Sequence, residues 1–122
     1  MSPKDLKQRT FDFAVSVAKL IDQLPNTISN RSYFSQIARS SSSIGANYRA
    51  SQRAKSSKDF LNKLKIVEEE TDETIYFLQL LAAINENYVQ LIDPLIHEGV
   101  EILKIIVASI NTTRRNMAKR PR

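Results

Sequence analysis

Helix-breaking residues are rare in this sequence, and their rarity limits the folds that the chain can adopt. Two glycines and four prolines occur among 122 residues. Because turns and the ends of strands depend on these residues, their scarcity predicts a few long elements and an all-α chain. The length suits one domain with one modest core, and 42% of the residues are hydrophobic.

Apolar residues recur every three or four positions in four segments, which is the spacing of one helical face. The first segment covers residues 5–24 and ends before Pro25, since proline pushes the preceding residue out of helical geometry. The second begins near Ser29 or Asn30, which are both favourable N-caps. A polar loop is expected at residues 85–90, before the fourth segment.

The third and fourth segments carry start signals of their own. Ser56 or Ser57 can cap the third helix, and Asp59 follows Ser56 by three residues, as in a capping box. Asp93-Pro94 reads as an N-cap followed by proline at the first helical position. One predicted face of the fourth helix carries Ile96, Val100, Leu103, Val107 and Ile110. This helix has a second apolar face, so it is a candidate oligomer surface.

Four consecutive serines, Ser40 to Ser43, lie within the second helix although serine is a weak helix former. Ser41 falls on the apolar face with Gly45, and small residues four apart let a neighbouring helix approach closely. Ser40, Ser42 and Ser43 are assigned to the other sides of the helix. The serine run therefore predicts close helix packing.

The charged residues are sorted along the chain. Residues 31–65 hold eight basic residues and one acid, whereas residues 68–101 hold nine acids and no lysine or arginine. Residues 113–122 add five basic residues and no acid, and the whole chain has a net charge of +5. Such sorting predicts electrostatic pairing within the fold or between subunits, together with one exposed basic surface.

These patterns predict an up-and-down four-helix bundle over residues 1–112, followed by a basic C-terminal tail at residues 113–122 that is expected to fray. The sequence contains no cysteine, which excludes disulfides and thiolate sites. No stretch approaches the roughly 20 apolar residues of a membrane span, and no signal peptide is visible. We expect a cytoplasmic protein that does not enter a membrane.

The basic residues are candidates for binding nucleic acid, because a basic patch supplies the sequence-independent part of that affinity. The candidate residues are Arg49, Arg53, Lys55, Lys58, Arg114, Arg115, Lys119 and Arg120. The other interpretation is a solvated helix surface that pairs with the acidic segment. No helix-turn-helix or RNA-binding signature adds recognition of a base sequence.

A structural polar network is predicted between the second and third helices. Arg39 and Asn47 are eight residues apart, so both can lie on one side of the second helix. Glu70 and Glu73 are in line with apolar residues of the third helix, and a carboxylate that is partly buried needs a partner. We therefore expect Arg39 and Asn47 to contact Glu70 or Glu73.

The acidic run at residues 68–73 raises the possibility of a metal–carboxylate centre in a helical bundle. Such a centre uses paired Glu-x-x-His motifs, but the sequence has one histidine, His97, and the residue three before it is Pro94. We therefore predict no metal site, no cofactor and no catalytic residues, and expect a protein that is not an enzyme.

Four strings of residues resemble a known bacterial family, the 23S rRNA intervening-sequence proteins, also called four-helix bundle proteins. The strings are RTFDFAVSVAKLIDQLP (residues 9–25), RSSSSIGANY (39–48), RAKSSKDFLNKL (53–64) and ETDETIYFL (70–78). This chain departs from the family pattern in two places. It lacks a glutamate shortly after Asn47-Tyr48, and it has Phe77 where tryptophan is frequent.

The resemblance implies a helical bundle that assembles as a ring-shaped homo-oligomer, most often a pentamer. A related protein, the accessory variability determinant of diversity-generating retroelements, forms a basic pentameric barrel and binds a reverse transcriptase and nucleic acid. By this resemblance the expected partners are other copies of the chain, RNA or DNA, and a reverse-transcriptase-type protein. The alternative is a scaffolding oligomer that binds no nucleic acid.

Overall fold

The structure is a computed structural model that describes residues 6–119, and these residues form four α-helices and no strand. The helices are α1 (Leu6–Gln23), α2 (Ile28–Ser51), α3 (Ser57–Ile84) and α4 (Val89–Lys119), with a short 3-10 turn at Glu86–Tyr88. Both α1 and α3 pack against α2 and α4. The prediction of an all-α four-helix bundle is confirmed.

Neighbouring helices run in opposite directions. Asn30 at the start of α2 contacts Asn85 at the end of α3, while Ser40 contacts Thr74 further along the same pair. In the α3–α4 pair, Gly99 lies opposite Ile75. Since antiparallel helices rise equally, the last turns of α4 are level with the start of α3. We call this region, residues 49–60 and 110–119, the α2–α3 end of the bundle.

Within residues 6–119 the helices differ in length, so the four described helices do not lie side by side over the full length of α4. At 1.5 Å per residue, the 18 residues of α1 span about 27 Å and the 31 residues of α4 about 46 Å. Arg9, near the described start of α1, contacts Glu98 in the first half of α4. Among the described residues, the C-terminal part of α4 therefore packs mainly on α3.

The buried face of α4 differs from the predicted one. The buried residues of this helix are Ile92, Gly99, Ile102, Ile106 and Ile110. The other members of the predicted face are only half-buried. Both faces are apolar, and Gly99 decides between them because a Cβ there would be 3.0 Å from Ile75 Cγ1 and 3.4 Å from Phe13 Cζ. A glycine at this point lets α4 approach α1 and α3 closely.

Two predicted helix starts are wrong. The N-cap of α2 is Thr27, whose Oγ1 accepts a hydrogen bond of 3.1 Å from the Asn30 N–H, so Asn30 lies inside the helix. α4 begins at Val89, before the Asp93-Pro94 pair, and Pro94 lies within it. The missing N–H of Pro94 would have paired with the carbonyl of Gln90, a residue that is exposed to solvent.

The start predicted for α3 is confirmed, and the C-terminal segment differs from the expectation. Ser56 is the N-cap of α3 and accepts a hydrogen bond of 3.0 Å from the Asp59 N–H. Residues 113–119, which were expected to fray, continue α4 as helix.

A reciprocal pair of buried asparagines joins α2 to the end of α3. Asn30 Nδ2 donates to Asn85 Oδ1 at 2.8 Å, and Asn85 Nδ2 donates to Asn30 Oδ1 at 2.9 Å. The remaining amide hydrogens bond to the carbonyls of Pro25 and Leu81. Asn30 is 1% exposed, so these bonds replace the water that burial removes.

The serine run lies at two helix contacts. Ser41 is buried as predicted, but Ser40 is also buried, at 0% exposure, and its Oγ is 2.8 Å from Thr74 Oγ1 of α3. The assignment of Ser40 to an outer side is therefore wrong. Gly45 faces α1, where an added Cβ would be 3.2 Å from Thr10 Oγ1. The prediction of close packing around this run is confirmed.

Candidate nucleic-acid interface

The fold brings two basic segments of the sequence to the α2–α3 end. Residues 49–60 contain four basic residues and one acid, and residues 110–119 contain three basic residues and no acid. The first segment forms the end of α2 and the start of α3, and the second forms the end of α4. Because these elements are level with each other, charges that are separated in sequence share one end of the bundle.

Seven of the eight predicted contact residues lie in the described part of the chain, and all seven are exposed. They are Arg49, Arg53, Lys55, Lys58, Arg114, Arg115 and Lys119. The eighth, Arg120, lies outside the described residues. Several of the seven are at the C-terminal ends of α2 and α4, where the helix dipole favours positive charge. Their positions are therefore compatible with the local backbone electrostatics.

The ion pairs in the described part of the chain involve basic residues other than these seven. Arg9, Arg39, Lys63 and Lys104 each contact a carboxylate. Within residues 6–119, none of the seven exposed residues forms a side-chain ion pair with an acid. The acidic segment, residues 68–101, lies in the rest of α3 and in the first half of α4. Basic and acidic residues, which occupy different segments of the sequence, therefore also lie at different positions along the bundle axis.

Asp59 is the acid within this basic end. Its Oδ1 accepts a hydrogen bond of 2.8 Å from Lys63 Nζ, and its Oδ2 accepts one of 3.1 Å from the Lys55 N–H. These bonds, with the Lys63 bond the larger cause, lower the pKa of Asp59 below its ordinary value of 3.8. Asp59 therefore fixes the start of α3, and its side-chain salt bridge is with Lys63 rather than with the ammonium group of Lys55 or Lys58.

We expect Asp59→Asn to lower the melting temperature at neutral pH and to have little effect in strong acid. A carboxylate whose folded pKa is lowered stabilises the fold above its unfolded pKa, and that contribution is lost as pH falls through the folded value. Thermal melts of both proteins at pH 7 and at about pH 2 measure the difference. A gap in melting temperature that stays constant between these pH values would contradict the assigned role of the charge.

The predicted pairing of Arg39 with the acidic segment is present in the structure. Its guanidinium donates to Glu70 at 3.1 and 3.2 Å and also to Glu73. The hydrogen bond with Glu70, followed by that with Glu73, raises the pKa of Arg39. The side chain of Arg39 is half exposed, so solvent screens this network. Its position between α2 and α3 makes it a structural contact.

Asn47 does not join this network among the described residues. Its Nδ2 donates to the carbonyl of Ser43 at 2.9 Å, within α2. Residues eight apart do lie on one side of a helix, as predicted. The side chain of Asn47 is short, however, and its amide hydrogen-bonds to a carbonyl of its own helix instead of reaching α3.

An ion pair that sequence reasoning missed joins α1 to α4. Arg9 Nε donates to Glu98 Oε2 at 2.6 Å, and Arg9 Nη2 donates to Glu98 Oε1 at 2.7 Å. This two-point contact raises the pKa of Arg9 through its hydrogen bond with Glu98. The partners are 89 positions apart, so no local pattern indicates the pair. It holds the shortest helix against the longest one.

Residues 6–119 contain no group of three His, Cys, Asp or Glu side chains arranged to hold a metal ion. His97 is exposed on α4. Over the same residues, no helix is both long enough and apolar enough to span a membrane.

The antiparallel packing and the separated charges define a small four-helix bundle protein. Residues 4–108 match the family described as 23S rRNA-intervening sequence protein, and the chain belongs to this family. A crystal structure of a protein with unknown function from the S23 ribosomal protein family of Bacteroides thetaiotaomicron VPI-5482 is similar. It is 34% identical in sequence, the match covers 86% of this chain and 97% of that chain, and the TM-score is 0.79. No curated protein matches the chain.

Proposed function

We propose that this protein is a non-enzymatic helical bundle that binds nucleic acid through its α2–α3 end. One observation carries the proposal: seven exposed basic side chains share this end, and none of them forms an ion pair within residues 6–119. A polyanion that contacts them would release its condensed counterions, which favours binding. The proposed site lies on the bundle's own helices and turn.

The proposed contact is with the phosphate backbone. The basic residues lie on helix ends and on a turn, and no described helix has the arrangement of a groove-reading motif. Backbone contacts position a protein without reading sequence. Binding is therefore expected to vary little with base sequence and to weaken steeply as salt rises.

The second candidate function is a scaffolding oligomer that binds no nucleic acid. The observation that favours it is the acidic segment, residues 68–101, which is separated from the basic end of the same chain. In an assembly, the basic end of one copy would then pair with the acidic segment of another. A pentameric ring and a reverse-transcriptase-type partner stay predictions from the family resemblance.

Fluorescence anisotropy with a labelled RNA hairpin and a labelled DNA duplex tests the proposal. We expect Arg53→Gln/Arg114→Gln to reduce affinity and to lower the slope of log affinity against log salt by about 2, since each lost phosphate contact removes about 1. The matched control is Lys19→Gln/Arg31→Gln, which removes the same charge from exposed positions outside the basic end.

Two results would overturn nucleic-acid binding by this end. One is an absence of binding by the unmodified protein at about 50 mM salt, where electrostatic affinity is high. The other is an equal loss of affinity in the test and control variants, because net charge alone would then explain the binding. The first result would also favour the scaffolding alternative.

A further inference from the structure

The turn between α2 and α3 borders an open cavity within the basic end of the bundle. The cavity has a volume of about 450 Å³, which lies within the range of about 300 to 1,000 Å³ for small-molecule sites. Phe60 supplies an aromatic wall, and the polar lining residues include Gln52, Lys55 and Ser57. A cavity with one aromatic wall and polar edges suits a flat ring that carries hydrogen-bonding groups.

Phe60 is the aromatic residue of the α2–α3 end, since residues 49–60 and 110–119 contain no other aromatic residue. It is half-buried and packs against the hydrophobic core, and it also lines the cavity. Contact with the core restricts the ring, so a base that stacks on it pays little to order the side chain. Stacking on aromatic side chains is a general way in which proteins hold single strands.

The polar side of the cavity is fixed by hydrogen bonds to the end of α2. Gln52 Nε2 donates to Ser51 Oγ at 3.1 Å, and Ser51 Oγ donates to the carbonyl of Tyr48 at 2.6 Å. Ser51 is 1% exposed, so these bonds anchor the Gln52 amide to a buried position. The edge of a nucleobase carries donors and acceptors, which a side-chain amide can match.

Positive charge surrounds the cavity. Lys55 lines it, and Arg53 and Lys58 are exposed neighbours of lining residues in the sequence. None of these three residues forms a salt bridge within residues 6–119. The carboxylate of Asp59 lies at the same turn, but its two oxygens accept hydrogen bonds from Lys63 Nζ and the Lys55 N–H. Phosphates on either side of a base in the cavity would therefore meet positive charge.

We propose that this cavity binds one unpaired nucleobase of a single-stranded segment, stacked on Phe60, with the neighbouring phosphates on Arg53, Lys55 and Lys58. The inference rests on the proposed function and deepens it by naming the class of nucleic acid. A paired base is stacked on both faces, so it enters only if it is extruded from the duplex at a cost in free energy. Stacking tolerates every base, so single strands of different sequence bind with similar affinity.

Fluorescence anisotropy with a labelled oligothymidine and a labelled DNA duplex of equal length tests the inference. We expect the single strand to bind more tightly than the duplex at the same salt. Phe60→Leu should weaken single-strand binding by at least about fivefold, the loss of one stacked base, and leave duplex binding unchanged. Leucine keeps an apolar contact with the core, and circular dichroism checks the helix content. The matched control is Phe34→Leu, a half-buried phenylalanine of α2 outside the basic end.

A tryptophan at position 60 reports the contact directly, because the chain contains no other tryptophan. The emission of Phe60→Trp should be quenched when oligothymidine binds and should change little with the duplex. The same substitution at the control position, Phe34→Trp, should respond to neither.

The possible failures are distinguishable. Equal affinity for strand and duplex, or a Phe60→Leu variant that binds oligothymidine as tightly as the unmodified protein, would overturn the unpaired-base site. Phosphate binding by the α2–α3 end would then still stand. An absence of binding to either nucleic acid at about 50 mM salt would overturn the proposed function and the site together.

Discussion

Replacing Asn85 with alanine is expected to lower the free energy of unfolding by about 3 kcal/mol. Asn30, its partner, is 1% exposed, so water cannot replace the hydrogen bonds that it loses. The substitution removes the donor to Asn30 Oδ1 and the acceptor of one Asn30 Nδ2 hydrogen. Two buried polar groups are then left unpaired, and each costs its full desolvation penalty.

Urea unfolding followed by circular dichroism measures this loss. The control is Asn87→Ala, an exposed asparagine two positions after Asn85 whose replacement should change stability by less than about 0.5 kcal/mol. A double-mutant cycle separates the pair from its surroundings. Because both asparagines share the same bonds, Asn30→Ala/Asn85→Ala should cost clearly less than the sum of the single changes. Additive losses would show that the amide pair is not coupled.

Gly99→Val is expected to cost about 3 kcal/mol of stability, the upper part of the usual range for overpacking. A Cβ alone would be 3.0 Å from Ile75 Cγ1 and 3.4 Å from Phe13 Cζ, and valine adds two methyl groups. These neighbours belong to α3 and α1, so relief requires α4 to move away from both. Valine makes the unfolded chain less flexible than glycine does, and this stabilising effect offsets only part of the packing cost.

The same unfolding experiment with Ala108→Val supplies the control for Gly99→Val. Ala108 is exposed on the same helix, so its replacement reports helix propensity without packing and should cost less than about 0.7 kcal/mol. Gly99→Ala should fall between the two. Equal stability of the two valine variants would mean that α4 is not held closely against α1 and α3.

The sequence predicts the helices well because three- and four-residue spacing follows from helix geometry and needs no tertiary contact. The start of α2 was harder, since Thr27, Ser29 and Asn30 are all favourable caps. The choice falls on Thr27 because Asn30 is needed inside the bundle to pair with Asn85. The inner face of α4 was ambiguous for a similar reason: two apolar stripes compete, and contacts with other helices select one.

The candidate site was predictable in its residue types and less so in its arrangement. The residue types themselves identify the basic residues. The contact between Arg39 and Glu70 could be predicted because helical spacing places both residues on the facing sides of α2 and α3. The common location of the two basic segments depends on which helix ends are level, which the antiparallel register determines. The Arg9–Glu98 pair joins the first helix to the last, so neither periodicity nor composition could indicate it.

The difference in length between α1 and α4 has a consequence for dynamics. Beyond the described start of α1, fewer of the described side chains pack on α4 and protect its amide hydrogen bonds, and we expect this segment to open without unfolding of the rest. Arg114, Arg115 and Lys119 lie on it. A ligand that binds the ordered segment more tightly than the open one would shift this local equilibrium by mass action. Under the proposed function, nucleic-acid binding would therefore increase the helical order of the end of α4.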